Sequence, residues 1–149
     1  MIGSSYSHFT GVTLGGKYVV KHLVGHGGMG AVFLGVQRFG ATERAVAIKL
    51  LTRDPAVDPA ALKRFYREVE VVGLLSHPNS VRVYDFGLTE DNLPYMVMEY
   101  LDGRSLKEVI LSDAPIPLER CVHIVAQICD ALAEAHDKGI VHRDLKPAN

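Results

Sequence analysis

Long hydrophobic runs are missing from this chain. Its longest apolar stretches, such as Gly30 to Val36, fall far short of the roughly 20 residues that cross a bilayer. Met1 to Thr10 has neither the basic start nor the apolar stretch of a secretory signal. The expectation is a cytoplasmic segment with no membrane contact of its own; these residues say nothing about an anchor beyond Asn149. Charge of one sign is missing too. A net charge of −1, with no cluster of Lys and Arg, gives no footprint for nucleic acid. Cysteine is scarce: Cys121 and Cys129 fall eight residues apart on one predicted helix. At about 1.5 Å per residue that separation is roughly 12 Å, beyond disulfide reach, so two reduced thiols are expected. The seven histidines have no ligand spacing, and no zinc site is expected. Internal repeats and low-complexity tracts are absent.

What remains is a chain of 149 residues, 48% of them hydrophobic, which is enough for a real core and too apolar for a disordered protein. Met1 to Gly15 is rich in Ser, Gly and Thr and reads as a loose leader. Lys17 to Gly25, Ala31 to Gln37 and Arg44 to Leu51 read as strands, followed by a loop with two prolines from Thr52 to Pro59. Ala60 to Leu75 reads as a helix, because Leu62, Phe65, Val69, Val72 and Leu75 recur at helical spacing. The Ser76-His77-Pro78-Asn79 break ends it. Val81 to Phe86 and Tyr95 to Tyr100 add two strands. Asp102 to Leu111 is a short helix. Leu118 to Lys138 is a long one, with Cys121, Val125, Ile128, Leu132 and Ala135 inward and Gly139 as its cap.

Four segments carry chemistry. Gly25-His26-Gly27-Gly28-Met29-Gly30-Ala31-Val32 fits G-x-G-x-x-G-x-V, and Val46-Ala47-Ile48-Lys49 fits V-A-I-K. Pro94 to Leu101 is an apolar strand that ends in Glu99-Tyr100-Leu101. His142-Arg143-Asp144-Leu145-Lys146-Pro147-Ala148-Asn149 closes the chain. Glycines without Cβ atoms let backbone approach phosphates and offer amide hydrogens. A dinucleotide-binding fingerprint must run from strand into helix. Here Ala31 to Val36 is bulky and β-branched, which favours a strand, and no Gly-Lys-Ser/Thr follows to make a P-loop. The plain alternatives are a β-hairpin turn, an edge lysine and a polar surface loop. Helix geometry adds one argument from the residues alone. At about 100° per residue, Glu68 lies inside the apolar stripe and Glu70 on the opposite face. An acidic group inside that stripe needs a cationic partner, and Lys49 is the candidate; Glu70 reads as a solvated charge.

Taken together and in this order, the four segments resemble the protein serine/threonine kinases, most closely the bacterial eukaryotic-like (Hanks-type) group. The resemblance runs from about Gly16 to Asn149. It implies an α+β, two-lobed fold. The small lobe would hold a five-stranded antiparallel sheet and one helix, and the helical large lobe would be truncated. The implied divisions are a leader at 1–15, a small, ATP-binding lobe and hinge at 16–101, and an incomplete large lobe at 102–149. It also implies the cofactors ATP and Mg²⁺ and a protein Ser/Thr substrate. Gly25, Gly27, Gly28 and Gly30 would cradle the phosphates. Lys49 would bind the α- and β-phosphates, oriented by Glu68. Val24, Val32 and Ala47 would cover the adenine, Met98 would guard the back of the pocket, and the backbones of Glu99 and Leu101 would bond the purine edge. Asp144 would accept the substrate hydroxyl proton, Lys146 would neutralise the moving phosphoryl group, and Asn149 would hold a magnesium ion. His142 would shape the loop. Arg143 would contact a phosphorylated activation loop.

Asp85-Phe86-Gly87 spells the family's magnesium-binding D-F-G triplet but precedes the catalytic loop, so it reads as a coincidence. A D-F-G after Asn149 and the A-P-E segment are not among these residues. The expectations that follow are negligible kinase activity for this polypeptide alone and a large exposed apolar patch on the helix from Leu118 to Lys138. The second reading is a nucleotide-binding but non-catalytic half-kinase acting as a regulatory module. Substrate identity and oligomeric state are not legible in these residues.

Overall fold

The computed structural model describes residues 6–27, 30–51 and 58–148. The chain divides into two compact units, Met1–Leu74 with Arg82–Tyr100, and Leu75–Val81 with Leu101–Asn149.

The first unit is a six-stranded antiparallel sheet: β1 (Thr13–Leu14), β2 (Tyr18–Gly27), β3 (Gly30–Phe39), β4 (Thr42–Leu50), β5 (Val83–Leu88) and β6 (Pro94–Glu99), in the spatial order β1-β2-β3-β4-β6-β5. The expectation of five strands is corrected by β1. At two residues, between Gly11 and the Gly15-Gly16 turn, it is too short for any alternation to register in sequence. The loose leader is corrected with it. Ser7–Phe9 forms a 3-10 helix, Phe9 and Leu14 are buried in the core, and Leu14 pairs with Tyr18. Residues 1–5 lie outside the described residues.

Strand β4 shows how the sheet buries two faces. Val46, Ile48 and Leu50 alternate onto one side, joining Phe9, Tyr18, Val20, Ala31, Phe33, Tyr95 and Val97. Leu51 and Met96 serve the other side, packing with Ala61, Phe65 and Val69. These last three come from α1 (Pro59–Gly73). The helix starts where Asp58 accepts a hydrogen bond from the Ala61 amide at 2.9 Å, with Pro59 in its first turn. It ends two residues before the expected Leu75, because the Leu74 amide turns back onto the carbonyls of Val71 and Val72.

The second unit carries α2 (Leu106–Asp113) and α3 (Leu118–Asp137). A capping box sets the start of α2. The Ser105 hydroxyl accepts from the Glu108 amide, and the Glu108 carboxylate accepts from the Ser105 amide at 2.7 Å. Hence α2 begins at Leu106 rather than Asp102. Gly139 closes α3 as expected. With φ +71° it lets its own amide reach His136 O at 2.9 Å and the Ile140 amide reach Ala135 O at 2.8 Å. The inward set on α3 is corrected at Val125, which is 56% exposed, while Ala135 is buried. Cys121, Val122, Val125 and Ala126 line an open apolar shelf.

Leu75–Val81 belongs to this second unit because Glu134 of α3 holds it. That carboxylate accepts from the Ser76 amide and hydroxyl (3.1 and 2.9 Å), the His77 amide (2.9 Å) and the Lys138 ammonium (2.7 Å). The Lys138 ammonium leads in lowering the Glu134 carboxyl to about 2.

Candidate active site

In the first unit, antiparallel register sets the site. Val32 pairs with Lys49 and Lys49 with Met96; one row over, Leu34 pairs with Ala47 and Ala47 with Met98. Opposed residues in a sheet share a face, and successive side chains alternate. Val32, Ala47, Lys49, Met96 and Met98 therefore stand on one side, the side that α1 covers. Lys49 Nζ donates to Glu68 Oε1 at 2.5 Å and Oε2 at 2.7 Å. The helix-face argument is met in this geometry: Glu68 is half-buried on the inner face beside Phe65 and Val69, and Glu70 is exposed. Side-chain exposures of 16% for Lys49 and 32% for Glu68 leave the pair open on one side.

The glycine segment begins at the end of β2 and continues into β3, so a strand follows it, as the argument against a dinucleotide fingerprint requires. Its described glycines do different jobs. A Cβ at Gly30 would sit 2.0 Å from the Leu50 carbonyl oxygen, so the fold itself excludes a side chain there. Among the described residues, a Cβ at Gly25 or Gly27 would meet nothing within 4 Å. Packing among the described residues gives no reason for glycine at those two positions. Such bare backbone next to a lysine on the covered face fits a polyphosphate. Gly28 lies outside the described residues.

Val24 is the extra residue of a bulge, since Leu23 pairs with Phe33 and Gly25 with Val32; it is 54% exposed. Ala47 is buried, and Val32 and Met98 are half-buried. The Glu99 amide donates to Arg82 O at 2.8 Å, which leaves its carbonyl as the group it could offer a purine. Leu101 falls in the second unit, beyond β6, and is 63% exposed.

In the second unit, Lys146 Nζ donates to Asp144 Oδ2 at 2.6 Å. That hydrogen bond holds the Asp144 carboxyl below the ordinary carboxylate range. The His142 carbonyl accepts from the Asp144 amide at 2.9 Å, and His142 Nδ1 lies 3.3 Å from the same amide. Arg143 between them is held at φ +64°, a conformation that costs a non-glycine residue and recurs at functional sites. The start of α2 braces the loop, with the Lys107 amide donating to Pro147 O at 2.7 Å. Asn149 lies outside the described residues.

The out-of-order D-F-G triplet has a structural job. Asp85 Oδ2 accepts from the Lys17 ammonium at 2.7 Å and the Tyr18 hydroxyl at 2.9 Å, and Oδ1 from the Phe86 amide at 3.0 Å. The Lys17 hydrogen bond lowers the Asp85 carboxyl, and burial raises the Tyr18 and Tyr95 hydroxyls. Strand order separates β2 from β5 by three strands. Asp85 therefore ties together two ends of a strongly curled sheet. Sequence reasoning missed this clasp, since nothing in the pattern brings residues 18 and 85 together.

Strand–glycine loop–strand, a lysine paired to the following helix and a terminal H-R-D-L-K-P-A-N loop define a protein kinase domain, and the sequence pattern of the protein kinase domain family matches residues 18–149. The chain belongs to the protein kinase family, and within it to the bacterial Hanks-type serine/threonine kinases. It is 43% identical over 139 residues to serine/threonine-protein kinase PknB of Mycobacterium leprae, covering 91% of this chain and 22% of that protein. It is 42% identical over 139 residues to PrkC of Bacillus subtilis, covering 93% and 21%. The crystal structure of the Mycobacterium tuberculosis PknI kinase domain superposes with a TM-score of 0.74 at 32% identity, covering 94% of this chain and 55% of that one. The chain thus spans about a fifth of the length of these curated relatives.

Proposed function

We propose that this chain supplies the ATP-binding part and the catalytic loop of a serine/threonine protein kinase. The observation that carries the reading is the Lys49–Glu68 ion pair. It stands on the sheet face that also carries Val32, Ala47 and Met98. Lys49, oriented by Glu68, holds the α- and β-phosphates; Gly25, Gly27, Gly28 and Gly30 bring backbone amides to them. Val24, Val32, Ala47 and Met98 contact the adenine, and the backbones of Glu99 and Leu101 bond its edge. Asp144, hydrogen-bonded by Lys146, takes the proton from a Ser or Thr hydroxyl as that oxygen forms its bond to the γ-phosphorus and the bond to ADP breaks. Lys146 shields charge on the transferred group. Asn149 holds magnesium, which when bound neutralises charge on the phosphate oxygens.

The 149 residues carry one of the family's two magnesium-facing side chains, so the polypeptide assayed alone binds nucleotide and transfers phosphate negligibly. The test is phosphoamino-acid analysis of a protein substrate treated with labelled ATP and the product of the complete coding frame. Phosphoserine or phosphothreonine, lost on Asp144→Asn, is the expected result. Phosphotyrosine alone, or full activity of Asp144→Asn, overturns the reading.

A further inference from the structure

The segment before β1 is tied to the rest of the first unit at several points. The Phe9 ring, buried, meets Phe33 edge-on at 5.8 Å and 67°. The Phe9 amide donates to Tyr6 O at 3.2 Å and the Thr10 amide to Ser7 O at 3.1 Å. The Gly11 amide donates to Val20 O at 2.8 Å, and the Val20 amide to Val12 O at 2.9 Å. This mooring sets Tyr6, half-buried against the main core, beside the glycine segment: its ring lies 6.0 Å from the ring of His26, with the planes 33° apart. His26 stands between Gly25 and Gly27, two positions of the segment where, among the described residues, neither packing nor backbone angle asks for glycine. Gly25, His26 and Gly27 form the end of β2, opposite Val32, Ala31 and Gly30 of β3; glycine-flanked backbone has the most conformational freedom to lose on ordering, so this strand end opens most readily, and His26 is the one side chain between the two glycines.

We propose that Tyr6 is a positioning residue for the glycine loop: by packing on His26 it restricts the Gly25–Gly27 backbone and so raises affinity for the polyphosphate of a nucleotide. The affinity part rests on the nucleotide reading above; the ordering part does not. The bland alternative is a surface ring contact without consequence for the loop. Two features weigh against it. Tyr6 is anchored three residues from a buried Phe, so its ring is presented at little entropic cost. The contact also falls on the residue flanked by both open glycines.

The experiment is amide hydrogen exchange at Gly25, His26 and Gly27, followed by NMR in the 149-residue chain, with ATP affinity measured in parallel by calorimetry. Tyr6→Ala should speed exchange at these three amides by about three- to tenfold, the range an aromatic pair supports. ATP affinity should weaken by a similar factor; losing a half-buried ring also lowers the melting temperature, so the readout is exchange at these three amides relative to the rest of the sheet. Tyr6→Phe should behave as wild type, His26→Ala should reproduce Tyr6→Ala, and the double variant should add nothing further. Unchanged exchange at the three amides in Tyr6→Ala overturns the proposal, as does a speeding spread evenly over the whole sheet. Failure of the wild-type chain to bind ATP overturns the nucleotide reading and the affinity part, and leaves the exchange result to decide whether Tyr6 orders the loop.

Discussion

Replacing Gly30 and Gly27 by alanine, one at a time, separates what the fold needs from what a ligand needs. At Gly30 the new Cβ would lie 2.0 Å from the Leu50 carbonyl oxygen and 3.1 Å from its carbon. Both are backbone atoms of β4, and the glycine sits at φ +152°, where a side chain is strained. Relief requires β3 and β4 to move apart, an overpacking of the kind that costs about 1–3 kcal/mol. Each kcal/mol lowers Tm by roughly 2–8 °C in domains of this size range. At Gly27 the same methyl meets nothing within 4 Å among the described residues. Losing unfolded-state freedom there should leave stability unchanged or raise it by about 0.4–1 kcal/mol. The methyl would nevertheless stand where phosphate oxygens approach the backbone, so ATP affinity should fall at least tenfold. Chemical denaturation and calorimetric titration of the two variants decide the matter. Equal destabilisation by both, or full ATP affinity in Gly27→Ala, would refute the assignment of the open glycines to a ligand.

Two further outcomes are expected. Because the Lys17 hydrogen bond depresses the Asp85 carboxyl, the clasp contributes stability that is present above the ordinary carboxylate value near 3.8 and is lost as pH falls through the lowered folded value. Denaturation midpoints measured between pH 5 and pH 2 should therefore fall more steeply for wild type than for Asp85→Asn, and parallel curves would remove the clasp from the account. Gly139→Ala forces a side chain into φ +71°, and urea denaturation should show a loss of about 1–2 kcal/mol; no loss would mean that the cap on α3 relaxes freely.

Much of this was legible in the sequence wherever a side chain answers to local periodicity. Glu68 could be chosen over Glu70 because helix geometry fixes which face each occupies, and the strand after the glycine segment followed from β-branched residues. What escaped was set by long-range register or by very short elements. Strand β1 shows no alternation because it has two residues. Residues 6–15 looked like a leader because Ser, Gly and Thr outnumber Phe9 and Leu14, although those two side chains anchor the segment. The Asp85 clasp depends on the curl of a six-stranded sheet. The outward turn of Val125 depends on what packs beside α3, which helical spacing alone does not specify. The different jobs of Gly27 and Gly30 appear only once β4 lies alongside.

The central claim is that Lys49 and Glu68 form the phosphate-holding pair of a nucleotide site. Calorimetric titration of Mg-ATP into wild type, Lys49→Met, Glu68→Ala and Glu70→Ala tests it most directly. Saturable binding to wild type and Glu70→Ala is predicted, with a loss of about tenfold or more in Lys49→Met and Glu68→Ala, since charge-assisted bonds to a partly open pair are worth about 1.5–3 kcal/mol. Undiminished binding to Lys49→Met, or loss in Glu70→Ala but not in Glu68→Ala, would contradict the account.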